Sequence, residues 1–138
     1  MRSQPGQAIV TGLGPLSPVL PAPTNTAPLT ATGILNLANL GTTPVKVLSG
    51  ATVTTGGGFT VRRCKLVGVS AANVAWTTVA TGATAPTITA LAAGAATEGS
   101  LIFGGSGATE WLTVPDDVDL YLVAGGAATV INLTVFQQ

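Results

Sequence analysis

Two runs of alternating apolar residues near the end of the chain constrain its fold more than any other feature. In residues 118–122 and 131–135 every second residue is Val, Leu or Ile. This two-residue period is typical of a half-buried β-strand. Gly125-Gly126 lies between the runs and permits a tight connection, and Pro115-Asp116-Asp117 has turn chemistry before the first run. The pattern therefore predicts a C-terminal β-hairpin, fed by an earlier strand at residues 111–114.

Short strand-like segments recur through the rest of the chain. Glycine-rich stretches such as Gly56-Gly57-Gly58 separate them, as expected of turns and loops. We expect a bulge near Arg62-Arg63, because the apolar parity is mixed around those cations. The other predicted strands cover residues 34–40, 45–47, 59–69, 74–80, 87–91 and 100–103. Residues 51–55 either extend the second of these or form another short strand, and residues 109–114 lead to the hairpin.

The number and spacing of these strands indicate the fold class. Short strands spaced about 8–12 residues apart are typical of an all-β sandwich or barrel. We predict an all-β fold, an antiparallel β-sandwich of about eight strands that is jelly-roll-like. An immunoglobulin-like sandwich without its usual cysteine pair is the alternative. The predicted sandwich domain spans residues 31–138, and residues 1–30 form a separate arm.

The N-terminal arm is defined by proline. Proline fixes φ and donates no backbone hydrogen bond, so residues 1–30 are predicted to be extended. An extended apolar segment needs a surface to lie against, and three placements remain open: a neighbouring subunit or partner, the arm's own domain, or a disordered tail. The arm's prolines are Pro5, Pro15, Pro18, Pro21, Pro23 and Pro28. Its candidate interface residues are Ile9, Val10, Leu13, Leu16, Val19 and Leu20.

The chain carries very few charges. Charged residues make up 7% of its 138 residues, against about 25% in a typical soluble domain. The net charge is zero, so we expect no long-range attraction to nucleic acid or to an anionic membrane. Because a near-zero net charge favours association, we predict a homo-oligomer, a dimer or trimer, or a surface covered by a partner. The alternative is a monomer hydrated by its Thr, Ser, Asn and Gln side chains.

No stretch of the sequence reads as a membrane or secretion signal. A membrane helix needs about 18 or more consecutive apolar residues, and no run of that length occurs. Gly12, Gly14, Pro15 and Pro18 interrupt the apolar run that a signal peptide requires. We therefore expect synthesis in a cytoplasm.

The chemistry available to the side chains is limited. The chain has no histidine and one cysteine, Cys64, so we predict no cofactor, no metal site built on nitrogen or sulfur ligands, and no enzyme. Cys64 is expected to be a packed strand residue rather than a reactive thiol. The carboxylates of Asp116, Asp117 and Asp119 could bind a hard cation. A solvated acidic turn is the simpler interpretation.

One basic concentration, Arg62-Arg63-Cys64-Lys65, stands out. It is weak as a nucleic-acid site, because flanking aromatic residues and a wider basic face are missing. Arg62 and Arg63 are instead candidates for a polar contact with an acidic patch on a partner. A solvated strand edge, protected by its charges from edge-to-edge pairing, explains them equally well.

The chain resembles small head decoration, or cement, proteins of tailed bacteriophages. The resemblance covers the Pro-rich arm of residues 1–30, the short Ala-, Gly-, Thr- and Val-rich strands, and the ending Val114-Pro115-Asp116-Asp117-Val118-Asp119-Leu120-Tyr121. It implies a jelly roll or another β-sandwich that binds a major capsid protein and stabilises the capsid lattice. The implied location is the outer surface of a virion, after synthesis in the host cytoplasm. A fibre or spike module that binds a host receptor or glycan is the alternative.

Overall fold

A computed structural model describes residues 20–51, 61–69, 73–88, 101–103, 107–126 and 128–137. Over these residues the chain is all-β, as predicted, and forms no helix. No helix of the described part is therefore long enough to cross a bilayer. The strands are β1 (Gly33–Leu40), β2 (Val45–Leu48), β3 (Val61–Gly68), β4 (Val74–Ala80), β5 (Leu101–Phe103), β6 (Thr109–Pro115), β7 (Val118–Ala124) and β8 (Thr129–Gln137).

The strands pair in two antiparallel sheets of four. The first sheet has the order β1-β8-β3-β6 and the second has the order β2-β7-β4-β5. In both sheets the pairing follows one rule: β1 pairs with β8, β2 with β7, β3 with β6 and β4 with β5. Two further pairs, β3 with β8 and β4 with β7, complete the sheets. The first four strands therefore pair with the last four in reverse order.

The two sheets share one hydrophobic core. Its buried residues include Leu35, Leu66 and Leu133 from the first sheet and Val47 and Leu122 from the second, all without accessible surface. These side chains are inward because alternate residues of a strand face the same side. The arrangement is therefore sandwich-like.

β7 is buried on both of its faces. Leu120 and Leu122 face the shared core, whereas Tyr121 and Val123 form a second cluster with Ile88 on the opposite side. The sequence predicts a half-buried strand here, because Asp119 and Tyr121 alternate with the apolar residues. That prediction is wrong in part, since Ile88 covers the outer side of the second sheet.

The predicted C-terminal hairpin is also wrong. Both of its strands exist, but β7 belongs to the second sheet and β8 to the first, so Gly125-Gly126 lies in a crossover between the sheets. The strand predicted before the hairpin, β6, is likewise in the other sheet from β7. Alternating apolar residues indicate that a strand has one buried face. They do not indicate which sheet the strand belongs to, because strands on opposite sides of one core show the same alternation.

The predicted bulge near Arg62-Arg63 is absent. β3 keeps a continuous register with both β6 and β8 through these residues. The parity is mixed because Arg62 is buried where an apolar residue would be expected. Of the other predicted strands, residues 52–55 and 89–91 lie outside the described part, and residues 87–88 form no strand.

The end of the Pro-rich segment lies against its own domain. Thr24 bridges Leu35 of β1, and Leu29 bridges Leu48 of β2, both in parallel. Leu29 also packs against the shared core. Because β1 and β2 are edge strands, this part of the segment covers one margin of both sheets.

Candidate functional site

The outer side of the first sheet exposes an indole. Leu112 and Val114 of β6 point into the core, so Trp111 and Thr113 point outward. Trp111 is 51% exposed, and it and Val69 are the large apolar residues that the described part leaves exposed. A large exposed aromatic side chain is a common feature of interaction sites.

The strand register gathers three more side chains around this indole. Lys65 is directly opposite Trp111 across β3 and β6, and Arg63 is directly opposite Phe136 across β3 and β8. The Arg63 Cζ atom lies 5.2 Å from the Trp111 ring centroid, and the Lys65 Nζ atom lies 5.7 Å from it. The Phe136 ring stacks on Trp111 with 6.1 Å between centroids and 24° between planes. We call these four residues the Trp111 face.

The Trp111 face is positively charged. The ion pairs found among the described residues are Lys46–Asp119 and Arg62–Asp116, so Arg63 and Lys65 have no acidic partner there. The acid closest to the face in sequence, Glu110, has inward parity and is opposite Leu66. Both cations instead interact with the Trp111 ring, which holds them beside an exposed apolar surface.

Arg62, the neighbouring candidate, lies in a different environment. It is 9% exposed. Its Nη1 donates to the Ser49 carbonyl at 2.6 Å, and its Nη2 donates to the carbonyls of Pro115 at 2.7 Å and Val118 at 2.9 Å. Its Nε lies 3.4 Å from Asp116 Oδ1, an ion pair without hydrogen-bond geometry. The guanidinium therefore ties three chain segments together.

Asp119, near the start of β7, joins Gly50, which follows β2, to Gly82, which follows β4. Its carboxylate is 1% exposed and accepts hydrogen bonds from the N–H groups of Gly50 at 2.7 Å and Gly82 at 3.2 Å. Lys46 Nζ lies 3.3 Å from Oδ2. Burial raises the pKa of Asp119, but the two backbone donors and the Lys46 ammonium outweigh it, so the pKa lies below its ordinary value.

The acidic turn therefore does not present a cluster of carboxylates. Asp119 is buried against Gly50, Gly82 and Lys46, Asp116 is paired with Arg62, and Asp117 is exposed. Within the described ranges, no group of three or more histidine, cysteine or acidic residues is placed to hold a metal ion. Asp116 and Asp119 instead connect separate segments of the fold through ion pairs and hydrogen bonds.

Cys64 is packed in the core, as predicted. It has no accessible surface and belongs to the cluster that both sheets share. Burial raises the pKa of its thiol to about 11, although the nearby charge of Arg62 lowers it in part. A thiol with such a pKa stays protonated near neutral pH and is a poor nucleophile.

The remaining candidates belong to the Pro-rich segment. Leu20 is half-buried. Its proposed role as an interface residue stays a prediction, as do those of Arg62 and Arg63. The other arm candidates, Ile9, Val10, Leu13, Leu16 and Val19, lie outside the described residues.

The Trp111 face was missed by sequence reasoning. Around Arg63 the linear sequence has no aromatic neighbour apart from Phe59, and the aromatic partners come from strands β6 and β8. A usable signal does exist: Trp111 has the opposite parity from Leu112 and Val114, which marks it as outward-facing. What the sequence could not supply is the register that places Arg63 and Lys65 beside it.

Comparison with known proteins adds no further identification. No family model, curated protein or solved structure matches this chain.

Proposed function

We propose that this chain is a non-enzymatic structural protein of a tailed-bacteriophage virion, which binds the capsid lattice from outside and stabilises it. In this proposal it works as a homo-oligomer, a dimer or trimer, on a major capsid protein. The proposal combines the resemblance of the sequence to decoration proteins with the pairing order of the strands.

The pairing order is the observation that carries the proposal. The first strand pairs with the last, the second with the last but one, and so on to the pair of β4 and β5. This order results when one long antiparallel hairpin is folded over into two sheets. We infer that the fold is a jelly roll on this basis. Jelly rolls recur in viral capsid proteins, lectins and cupins. A cupin-like metal site is disfavoured, because the chain has no histidine and its one cysteine is buried.

The mechanism would be passive adhesion. The sandwich supplies a rigid body, and the Trp111 face and the edge of β6 that pairs with no described strand supply contact surface. Each 100 Å² of apolar surface buried contributes roughly 2.5 kcal/mol before the cost of association. Repetition of the contact over a symmetric lattice, and within an oligomer, would convert a weak single contact into firm attachment.

Binding to gene-deleted particles tests this function. Virions made without the gene should take up the purified protein at many sites on each head, and immunogold labelling should mark heads rather than tails. The loaded heads should also survive heating that ruptures the unloaded ones. Protein that stays in the supernatant after the particles are sedimented would contradict the proposal.

A fibre or spike module that binds a host glycan is the second candidate. The exposure of Trp111 favours it, because an accessible indole can stack on a sugar ring, and lectins also use the jelly roll. In that case immunogold would mark fibres, and a glycan array would give hits that the substitution Trp111→Ala removes. An array without hits would exclude this candidate.

A further inference from the structure

We propose that the Trp111 face is an attachment surface whose occupant is an acidic segment of a protein partner. Carboxylates of that segment would bind Arg63 and Lys65 beside the exposed indole. This inference deepens the proposed function, and it rests on that function for the assumption that the partner is a shell protein.

Charge complementarity is the first argument. Arg63 and Lys65 are held side by side over one ring, and no described acid neutralises them. The other two described cations, Lys46 and Arg62, are both consumed by internal ion pairs. In a chain with five basic residues in total, Arg63 and Lys65 are the described cations that have no ion pair, and they lie side by side on one face. Their natural complement is a pair of carboxylates.

The composition of the face is the second argument. Tryptophan and arginine are the side chains that most often dominate the binding energy of protein interfaces. Trp111 already stacks on Phe136 and carries both cations against its ring, so little side-chain freedom is lost on binding. Trp111 also lies on β6, whose second edge pairs with no described strand. A partner in extended conformation could therefore add backbone hydrogen bonds to that edge.

Other occupants fit the face less well. A nucleic acid needs a basic groove that follows several phosphates, and this face offers two cations on a chain of zero net charge. A second copy would have to offer a pair of free carboxylates, but among the described acids Asp119 is buried, Asp116 is paired with Arg62 and Glu110 has inward parity, which leaves Asp117 alone. An acidic protein segment satisfies both the charge and the aromatic surface.

A peptide titration tests the inference without particles. The probe is an extended 12-residue peptide of alternating Thr and Asp or Glu, and the matched control peptide replaces each acid by its amide. The indole N–H signal of Trp111, assigned with a Trp111→Phe variant, should shift with the acidic peptide only. Trp111→Ala should abolish binding, and Arg63→Gln should weaken it about three- to tenfold, the order expected for loss of one charge-assisted contact.

The charge-matched control is Arg2→Gln, which removes the same charge far from this face in sequence. It should change the affinity less than about twofold. Equal losses from Arg2→Gln and Arg63→Gln would mean that binding follows net charge alone, and would overturn the inference. So would equal binding of the amide peptide, tighter binding of a 12-nucleotide single strand, or a loss of self-association in Trp111→Ala, which would identify a second copy as the occupant. Because the titration uses no virion, its result is independent of the particle-binding experiment.

Discussion

The Asp119 carboxylate accepts a 2.7 Å hydrogen bond from the backbone N–H of Gly50, which lies 69 residues earlier in the chain. The Asp119 side chain comes from β7, and Gly50 follows β2 in the same sheet. The acidic turn before β7, Ser49–Gly50 and the turn after β4 are thereby fastened to one another. Asp119, which the sequence suggested as a cation ligand, thus stabilises the fold by binding backbone groups of two other segments.

Replacing Asp119 by asparagine should destabilise the protein. The amide leaves Lys46 without its anionic partner and places an N–H₂ group against one of the two backbone N–H groups, because Gly50 and Gly82 donate to different oxygens of the carboxylate. A loss of about 1–3 kcal/mol in the free energy of unfolding is expected. Urea unfolding followed by tryptophan fluorescence measures it. The matched control is Asp117→Asn on the exposed turn, for which the change should stay within about 0.5 kcal/mol.

Asp119 should also make stability depend on pH. Its pKa is lower in the folded protein than in the unfolded chain, so the unfolded chain binds a proton first as the pH falls. Its contribution is therefore complete above the unfolded pKa, at about pH 4, and is lost as the pH falls through the folded pKa. Urea midpoints measured from pH 7 to pH 2 should fall less steeply for Asp119→Asn than for the wild type. Identical slopes would contradict this role for the carboxylate.

Gly50 should not tolerate a side chain. A Cβ atom there would lie 2.5 Å from the Val118 carbonyl oxygen and would collide with Thr81 Oγ1. Because one obstacle is backbone, Gly50→Ala should cost at least about 2 kcal/mol. Gly41→Ala is the control, since no atom lies within 4 Å of the Cβ position there. Its stability should match that of the wild type within about 0.5 kcal/mol, measured by the same urea titration.

Two truncations separate the parts of the Pro-rich segment. Thr24 donates to the Ile34 carbonyl at 2.8 Å and accepts from the Asn36 N–H at 2.8 Å. Deleting residues 1–28 removes both bonds and should cost about 1–3 kcal/mol, with faster hydrogen exchange at Asn36. Deleting residues 1–19 keeps both bonds and should leave the exchange rate at Asn36 unchanged. Equal behaviour of the two truncations would show that the bridge at Thr24 does not matter.

Cys64 should react only after unfolding. The thiol has no accessible surface and burial raises its pKa to about 11, so neither access nor ionisation favours attack at pH 8. Labelling with iodoacetamide in native buffer should be slow and should accelerate across the urea transition. The urea-unfolded chain provides the reference rate. Fast labelling of the native protein would contradict the packing described for β3.

The strands themselves were predictable because alternation is a local property. β1, β4 and β6 lie within a residue or so of the predicted segments, since an apolar residue at every second position marks a buried face. The partners of each strand were not predictable. β7 and β8 are close in sequence and have matching alternation, yet they belong to different sheets. Neighbours in sequence are the natural guess, and in this fold most pairs join distant strands.

The candidate sites depended on the same missing information. Arg62 and Arg63 are indistinguishable in the sequence, but they lie on opposite faces of β3. Arg62 is buried against the carbonyls of Ser49, Pro115 and Val118. Arg63 is exposed beside Trp111. Asp119 looked like a solvated acid until the register of β7 placed it between Gly50 and Gly82. The pairing register of the strands, which is only weakly predictable from the sequence, thus determines the role of each of these charged residues.

The bridges at Thr24 and Leu29 limit how copies of this chain could grow into larger sheets. They occupy backbone groups of β1 and β2, at the same margin of both sheets. For the first sheet, the described strands leave β6 as the edge with unused backbone donors and acceptors. A sheet that can extend in one direction joins one neighbour and then terminates, whereas a sheet open at both margins can polymerise. In its described part, the Pro-rich segment therefore restricts edge-to-edge growth of the first sheet to the β6 side.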